Sequence, residues 1–397
     1  MPKEAVILFQ DESGLIPVFG VPCIKRLLIM LKQLGVEKII VMGKSELYER
    51  LSSETNNTQF IYCPLNSPQT LREMPLGDMF KGSILVLKAN HVVDKASLKK
   101  LIEKCGDPPC VLLGKSNEPI FLVSSKDLIN TIGLLWENRS TEGLNSSSKR
   151  LEGIAGLPFS INGHEQVEEA EAMLIKALSL EKRDSDSPLA KYFDRNISLF
   201  FTKRLVCTGI TPNQVTLMGM SIGLIGAGLL AMPNYWTELI GSLLFLFCVI
   251  IDGIDGEIAR LKLKESQFGH YLDIITDNIV HIAVFIGMGL GLYQRTNNRL
   301  YLYLIGVLLI GFGLCAISVY QCILKKEKEE LEKSPLLIKS MSLLTNRDFA
   351  YLVAILAIID KLNWFFIMTA IGSYLFSGML WIASYRHKKN YPADSPA

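Results

Sequence analysis

Long apolar runs crowd the chain beyond residue 210, and that crowding limits the possible fold more than any other feature. In hydrocarbon only helices and closed barrels satisfy their own backbone polar groups, and a helix needs about 20 apolar residues to cross. The runs lie near 214–232, 238–257, 271–292, 300–323, 348–361 and 364–385. They predict an all-α polytopic membrane domain of six transmembrane helices, the fifth being short and closed by Asp360 and Lys361. Charged residues still make up 20% of the chain at a mean hydropathy of +0.28, so the rest must hold a sizeable polar part.

Where the second and third runs meet, the chain reads D-x2-D-G-x2-A-R-x8-G-x3-D-x3-D, with Asp252, Asp255, Gly256, Ala259, Arg260, Gly269, Asp273 and Asp277 at the fixed positions. Steps of three and four put Asp252 with Asp255, and Asp273 with Asp277, on one face of each helix. Carboxylates beside hydrocarbon are costly unless paired, solvated or bound to a cation. An all-oxygen ligand set suits a hard ion, magnesium or manganese, better than zinc, and no cysteine pair stands nearby to compete. Gly256, Ala259 and Gly269 are small where a bulky ligand would lie against backbone, and Arg260 offers a planar donor fork for phosphate oxygens. The pattern reads as a metal and diphosphate site.

These residues resemble the signature of the CDP-alcohol phosphatidyltransferases, with all eight fixed identities present over 26 positions. The resemblance runs from about Arg195, through Thr211-Pro212-Asn213-Gln214-Val215-Thr216, to about Arg386. It implies transfer of a phosphoryl-alcohol group from a CDP-linked donor to an acceptor hydroxyl, with release of CMP, in phospholipid or inositol-phosphate-type synthesis. By position it implies that Asp252, Asp255 and Asp273 are metal ligands and that Asp277 is the general base and a shared ligand. Gly256, Ala259, Arg260 and Gly269 would contact the CDP portion. The chemistry agrees: a cation neutralises the diphosphate while a carboxylate takes the acceptor proton during in-line attack. The resemblance also implies a homodimer, which the small-residue pairs Gly219/Gly223 and Gly287/Gly291 permit, although close packing of helices explains both pairs.

Lysine and arginine counts in short loops set orientation. The Arg260–Lys264 and Lys325–Arg347 connections, Lys203-Arg204 and the Arg386–Lys389 tail fall on one side, against Arg295, Arg299 and Lys361 on the other. Both termini and the aspartates are therefore expected in the cytoplasm, with the protein in the plasma membrane. The opening apolar run, Ala5 to Phe9, is too short for a signal core. A net charge of +2 gives no case for nucleic acid. The eight scattered cysteines are expected to be reduced packing residues.

Residues 184–211 read as a linker and a juxtamembrane amphipathic helix, in which Tyr192, Phe193, Ile197, Leu199, Phe200 and Leu205 alternate with Arg195, Lys203 and Arg204. Arg195 would either contact a donor or lipid, or anchor the helix to anionic headgroups. Arg347, Lys339 and Arg195 are the cations available for a phosphorylated acceptor. The domain expected over 212–386 is followed by a polar tail at 387–397. His281 lies one turn beyond Asp277 and either orients it or is structural, while Trp236, Trp364 and Trp381 mark interfaces.

Residues 1–183 read as a cytoplasmic α/β domain, with strands near Ala5–Phe9, Lys38–Met42, Ser83–Leu87 and Cys110–Leu113 and a helix over Ile24–Leu34. The stretch from Gly20-Val21-Pro22 to Val41, and later Asn90-His91-Val92-Val93, resembles the sugar-nucleotidyltransferases. The chain departs from that family where a glycine-rich phosphate loop is replaced by Gln10-Asp11-Glu12-Ser13-Gly14, and where Asn90 replaces the metal-binding aspartate. Without backbone nests or that carboxylate, the domain is expected to be an inactive nucleotidyltransferase-like relic. The domain order is similar to that of archaeal enzymes joining an inositol-phosphate cytidylyltransferase to a di-inositol-phosphate phosphate synthase. Three readings compete: a CDP-alcohol phosphotransferase acting through the membrane half, a bifunctional enzyme with an active cytidylyltransferase half, and a non-enzymatic ion-binding membrane protein.

Overall fold

A computed structural model describes residues 2–54, 60–65, 80, 82–105, 108–115, 118–137, 149–181, 194–321 and 349–390. It divides into two compact units. The first comprises Met1–Asp184 with Lys203–Gly209 and Glu257–Lys264; the second comprises Ser185–Thr202, Ile210–Gly256 and Glu265–Ala397. Tyr192, Phe193, Lys339 and Arg347 lie outside the described residues.

The first unit is built on a seven-stranded sheet. Its strands are β1 (Glu4–Phe9), β2 (Lys38–Gly43), β3 (Ile61–Pro64), β4 (Ser83–Lys88), β5 (Cys110–Leu113), β6 (Ile120–Ser124) and β7 (Lys149–Glu152). They lie in the order β7-β5-β6-β4-β1-β2-β3. β1 runs parallel to β2 and β4, and β6 is antiparallel to both its neighbours. The central strands are apolar at nearly every position because helices cover both faces of the sheet. One face packs against α1 (Cys23–Gln33), which turns Ile24, Leu27, Leu28 and Leu31 inward at helical spacing. α2 (Tyr48–Glu54) follows β2, and α3 (Lys95–Lys104) is capped by Asp94, which accepts from Ser97 N at 2.9 Å. Leu128, Ile132 and Leu135 of α4 (Leu128–Trp136) cover the other face, and α5 (Val167–Glu181) completes the chain to residue 181.

The expected strands and first helix are present. The strands β3, β6 and β7 were not expected: β3 and β7 are edge strands whose mostly exposed residues carry little apolar signal, whereas β6 is a buried inner strand that the sequence reading missed. Cys105 and Cys110 form a disulfide, which corrects the expectation that all cysteines are reduced. Cys23, Cys63, Cys207, Cys248 and Cys315 take part in no disulfide among the described residues.

The second unit is helical. Its elements are α6 (Arg195–Leu205), α7 (Pro212–Leu230), α8 (Tyr235–Leu261), α9 (Gln267–Thr296), α10 (Leu300–Val319), α11 (Phe349–Ile358) and α12 (Leu362–Asn390), with the ends of α6 and α8 belonging to the first unit. Five of these, α7 to α10 and α12, are long and apolar enough to cross a membrane. The fifth expected span corresponds to α11, whose 10 residues rise only about 15 Å against a core of about 30 Å. It ends where Asp360 adopts a left-handed φ of 53°.

Glycines let these helices approach. A Cβ on Gly287 or Gly291 of α9 would strike the carbonyl oxygens of Ala227 or Leu230 on α7, and one on Gly223 would lie 2.6 Å from Val280. Gly219 likewise faces Ile251. The small-residue pairs thus serve packing within the chain. Polar groups on α10 and α12 satisfy one another: Ser318 and Ser377 share a 2.5 Å hydrogen bond, and Trp381 Nε1 donates to Ser318 at 3.0 Å. Arg295 donates to Asp360 through both terminal nitrogens, at 2.5 and 2.6 Å, and to Glu238 at 3.3 Å.

Candidate active site

The aspartates sit on two helices whose starts are fixed by local sequence. Ser266 caps α9 by accepting from Gly269 N at 3.0 Å. Thr211 caps α7 in a reciprocal box with Gln214, whose Oε1 accepts from Thr211 N at 2.9 Å, and Pro212 takes the first helical position, where no N–H is needed. These caps set the register of Thr216 on α7 and of Asp273 and Asp277 on α9.

Asp252 and Asp255 of α8 and Asp273 of α9 each offer a carboxylate oxygen, and the three oxygens lie within 4.8 Å of one another. This is the one such group of potential metal ligands among the described residues. Asp255 is buried at 7% exposure and accepts a hydrogen bond from Thr216 Oγ1, which also lies 3.2 Å from Pro212 O. Asp273 Oδ1 is buried with no hydrogen-bond partner. Three converging carboxylates with an unanswered buried oxygen fit a hard cation, because only positive charge relieves them. Asp277 follows one turn later on α9, partly buried and outside the three-residue group.

The smaller signature residues are accounted for separately. Gly256 is partly buried one position after Asp255. A Cβ on Gly269 would come within 3.2 Å of Asn213 Oδ1, so a side chain there would crowd the start of α7. Ala259 and Arg260 lie on the last turn of α8, in the first unit, and Arg260 has Nε and one terminal nitrogen buried without hydrogen-bond partners. The His281 ring packs against Phe245 and Phe349, with centroids 5.8 and 5.5 Å away. Arg195 is 8% exposed, as are its inward neighbours Ser198 and Thr202 buried, while Phe200 faces out at 53%. That burial overturns Arg195 as a headgroup anchor. Sequence reasoning missed Thr216 as a partner of Asp255; its position four residues after Pro212 in a capped helix was the available signal.

A polar cavity of about 170 Å³ lies in the first unit, lined among others by Gln10, Asp11, Ser13, Asn90, Glu118 and Asn162. The residues standing for the phosphate loop and the metal aspartate are therefore together, but Asn90 donates to Asn162 Oδ1 at 3.0 Å. Lys88 Nζ and His91 Nε2 lie 3.5 and 3.6 Å from Glu118 Oε2. His91 Nδ1 accepts from Lys88 N at 3.3 Å, which puts the ring proton on the Nε2 side facing Glu118. Burial would raise the Glu118 pKa, but the nearby His91 ring, the Ser160 hydroxyl and the charge of Lys88 outweigh it and bring it to about 2.

Residues 209–388 match the model of the family described as CDP-alcohol phosphatidyltransferase, and the chain carries a domain of that family. Over 366 residues it is 23% identical to a "Bifunctional IPC transferase and DIPP synthase" of Thermococcus kodakarensis, covering 80% of this chain and 82% of the relative. The protein of the same name from Aquifex aeolicus is 21% identical over 341 residues, covering 74% of this chain and 78% of its own. Among solved structures, a 4-diphosphocytidyl-2C-methyl-D-erythritol synthase from Anaerococcus prevotii covers 43% of this chain and 96% of its own at 13% identity and a TM-score of 0.31. The chain is an integral membrane protein with a CDP-alcohol phosphatidyltransferase domain over residues 209–388.

Proposed function

We propose that Asp252, Asp255 and Asp273 hold a magnesium or manganese ion, and that Asp277 is the general base that takes the acceptor hydroxyl proton. The observation that carries this reading is the convergence of three carboxylate oxygens within 4.8 Å inside the matched domain. The chemistry the bound cation supplies is neutralisation of the donor diphosphate. Thr216 holds Asp255 in place, as outer hydrogen bonds do for metal-binding carboxylates. Gly256, Ala259 and Gly269 leave room for the CDP portion, and Arg260 donates to its phosphates. Asp277 orients the acceptor hydroxyl, accepts its proton as the oxygen attacks phosphorus, and CMP leaves with the electron pair of the broken phosphoanhydride bond.

The acceptor or donor alcohol is a phospholipid or inositol-phosphate-type molecule, a reading supported by the names of the relatives that span both halves. The α/β unit, both termini and the aspartates face the cytoplasm of the plasma membrane, in line with the lysine and arginine distribution. A homodimer belongs to the proposal on the family resemblance. A functional boundary near 183, with 184–211 as connector and 212–386 as transferase domain, does as well. Metal-dependent CMP release by full-length protein, tested over CDP-alcohols with lipid and inositol-phosphate acceptors, is the experiment. Release lost in Asp277→Asn supports the reading, and release unchanged in that variant removes Asp277 as the base.

An active cytidylyltransferase half is the second reading, favoured by those same two relatives. Against it, Asn90 is engaged by Asn162 and no three-ligand cluster occurs in that cavity among the described residues. Turnover of CTP by full-length protein carrying Asp277→Asn would support it.

A further inference from the structure

Arg26 is a guanidinium buried in the first unit that the proposed chemistry leaves unused. It lies on α1 at 3% exposure and donates from Nη1 to Val18 O at 3.4 Å and to Leu261 O at 2.7 Å. Leu261 is the last residue of α8 and belongs to the same unit. Burial lowers the Arg26 pKa to about 10, with Cys23 and Glu171 opposing, so the group stays charged at neutral pH. A buried charge answered mainly by carbonyls is costly, and it needs a structural reason.

The reason lies in how α8 ends. Helix C-termini leave carbonyls without partners and with partial negative charge. Here Leu263 N donates to Arg260 O at 3.2 Å and Lys264 N to Ala259 O at 2.8 Å, the paired bonds of a Schellman turn. Leu263 takes the left-handed position with φ 53°, strained for a residue with a Cβ, and packs its side chain on the sheet core. Lys262 Nζ donates to Thr208 O at 2.7 Å. Leu261 O, which the turn leaves over, is taken by Arg26. Three consecutive carbonyls are thereby fixed, and the Arg260 side chain projects from the middle one.

We propose that Arg26 is a positioning residue which, by holding Leu261 O, fixes the last turn of α8 and so the direction of the Arg260 guanidinium toward the CDP diphosphate. This rests on Arg260 being a CDP contact, as in the proposed function.

The test uses full-length protein in detergent, with CDP affinity measured by calorimetry in the presence of magnesium and manganese affinity measured by electron paramagnetic resonance without CDP. Arg26→Met is expected to weaken CDP binding by about 10-fold or more, in the range that outer-shell positioning groups show. Manganese affinity should stay within about twofold, since the aspartates are untouched, and in an Arg260→Met background Arg26→Met should cost little more because the two act through one group. Arg26→Lys, which keeps a donor for Leu261 O, should recover most of the affinity. CDP affinity unchanged by Arg26→Met, fully additive losses with Arg260→Met, or a parallel loss of manganese would each overturn the inference. If Arg26→Met cannot be recovered folded, Arg26→Gln enters the same cycle and the same outcomes decide. Wild-type protein that binds manganese but not CDP would sink the underlying reading of Arg260 instead.

Discussion

Replacing Thr216 with valine deletes one hydroxyl and keeps the side-chain shape. In the structure that hydroxyl is 8% exposed with its residue and donates to Asp255, itself at 7% exposure, so no solvent stands ready to replace it. A hydrogen bond to a charged group is worth about 1.5–3 kcal/mol. At about 1.4 kcal/mol per decade that is roughly 10- to 100-fold in an equilibrium constant. The loss should fall on cation binding, because Asp255 would no longer be held in the direction of Asp252 and Asp273. The assay is CMP release by full-length protein as a function of magnesium concentration. Thr216→Val should raise the half-saturating magnesium by about 10- to 100-fold and recover most of its rate at saturation, whereas Thr216→Ser should stay near wild type. An unchanged magnesium midpoint in the valine variant would refute the role given to Thr216.

Gly287→Val places a side chain against the Ala227 carbonyl and should cost about 1–3 kcal/mol of packing, read as a lower Tm in detergent. Gly313→Ala, which meets nothing within 4 Å, should leave the Tm unchanged. Glu118→Gln leaves Lys88 and His91 without their carboxylate and should destabilise the α/β unit by about 2 kcal/mol, discounted for the 26% exposure of Glu118. Because the Glu118 pKa falls from 4.5 to about 2 on folding, its stabilisation is present above pH 4.5 and is lost as the pH falls toward 2. Thermal unfolding of wild type should lose more stability over that window than unfolding of Glu118→Gln; equal losses would contradict the assignment.

The aspartate frame was legible because steps of three and four are a property of any helix, and both helices carry it unbroken. The central strands β1, β2 and β4 were legible for a similar reason, since burial on both faces writes a continuous apolar run such as Ala5–Phe9. β3 and β7 escaped because edge strands with exposed side chains leave no such run. Thr216 escaped because its partner is 39 residues away, and Arg26 because its partner, a backbone carbonyl 235 residues on, has no side-chain signature at all. Arg195 was left between two readings, of which its burial removes the headgroup anchor, for a different reason. Its periodicity fits a surface helix, but which face turns inward depends on neighbours that a single helix does not encode.

The most direct measurement is cation-dependent CMP release by the full-length protein beside Asp255→Asn and Asp277→Asn, with manganese binding read independently on each. The account predicts that both variants lose release, that Asp255→Asn loses manganese affinity, and that Asp277→Asn keeps most of it. Release that persists in Asp255→Asn, or manganese binding undisturbed by that change, would contradict a cation held by Asp252, Asp255 and Asp273.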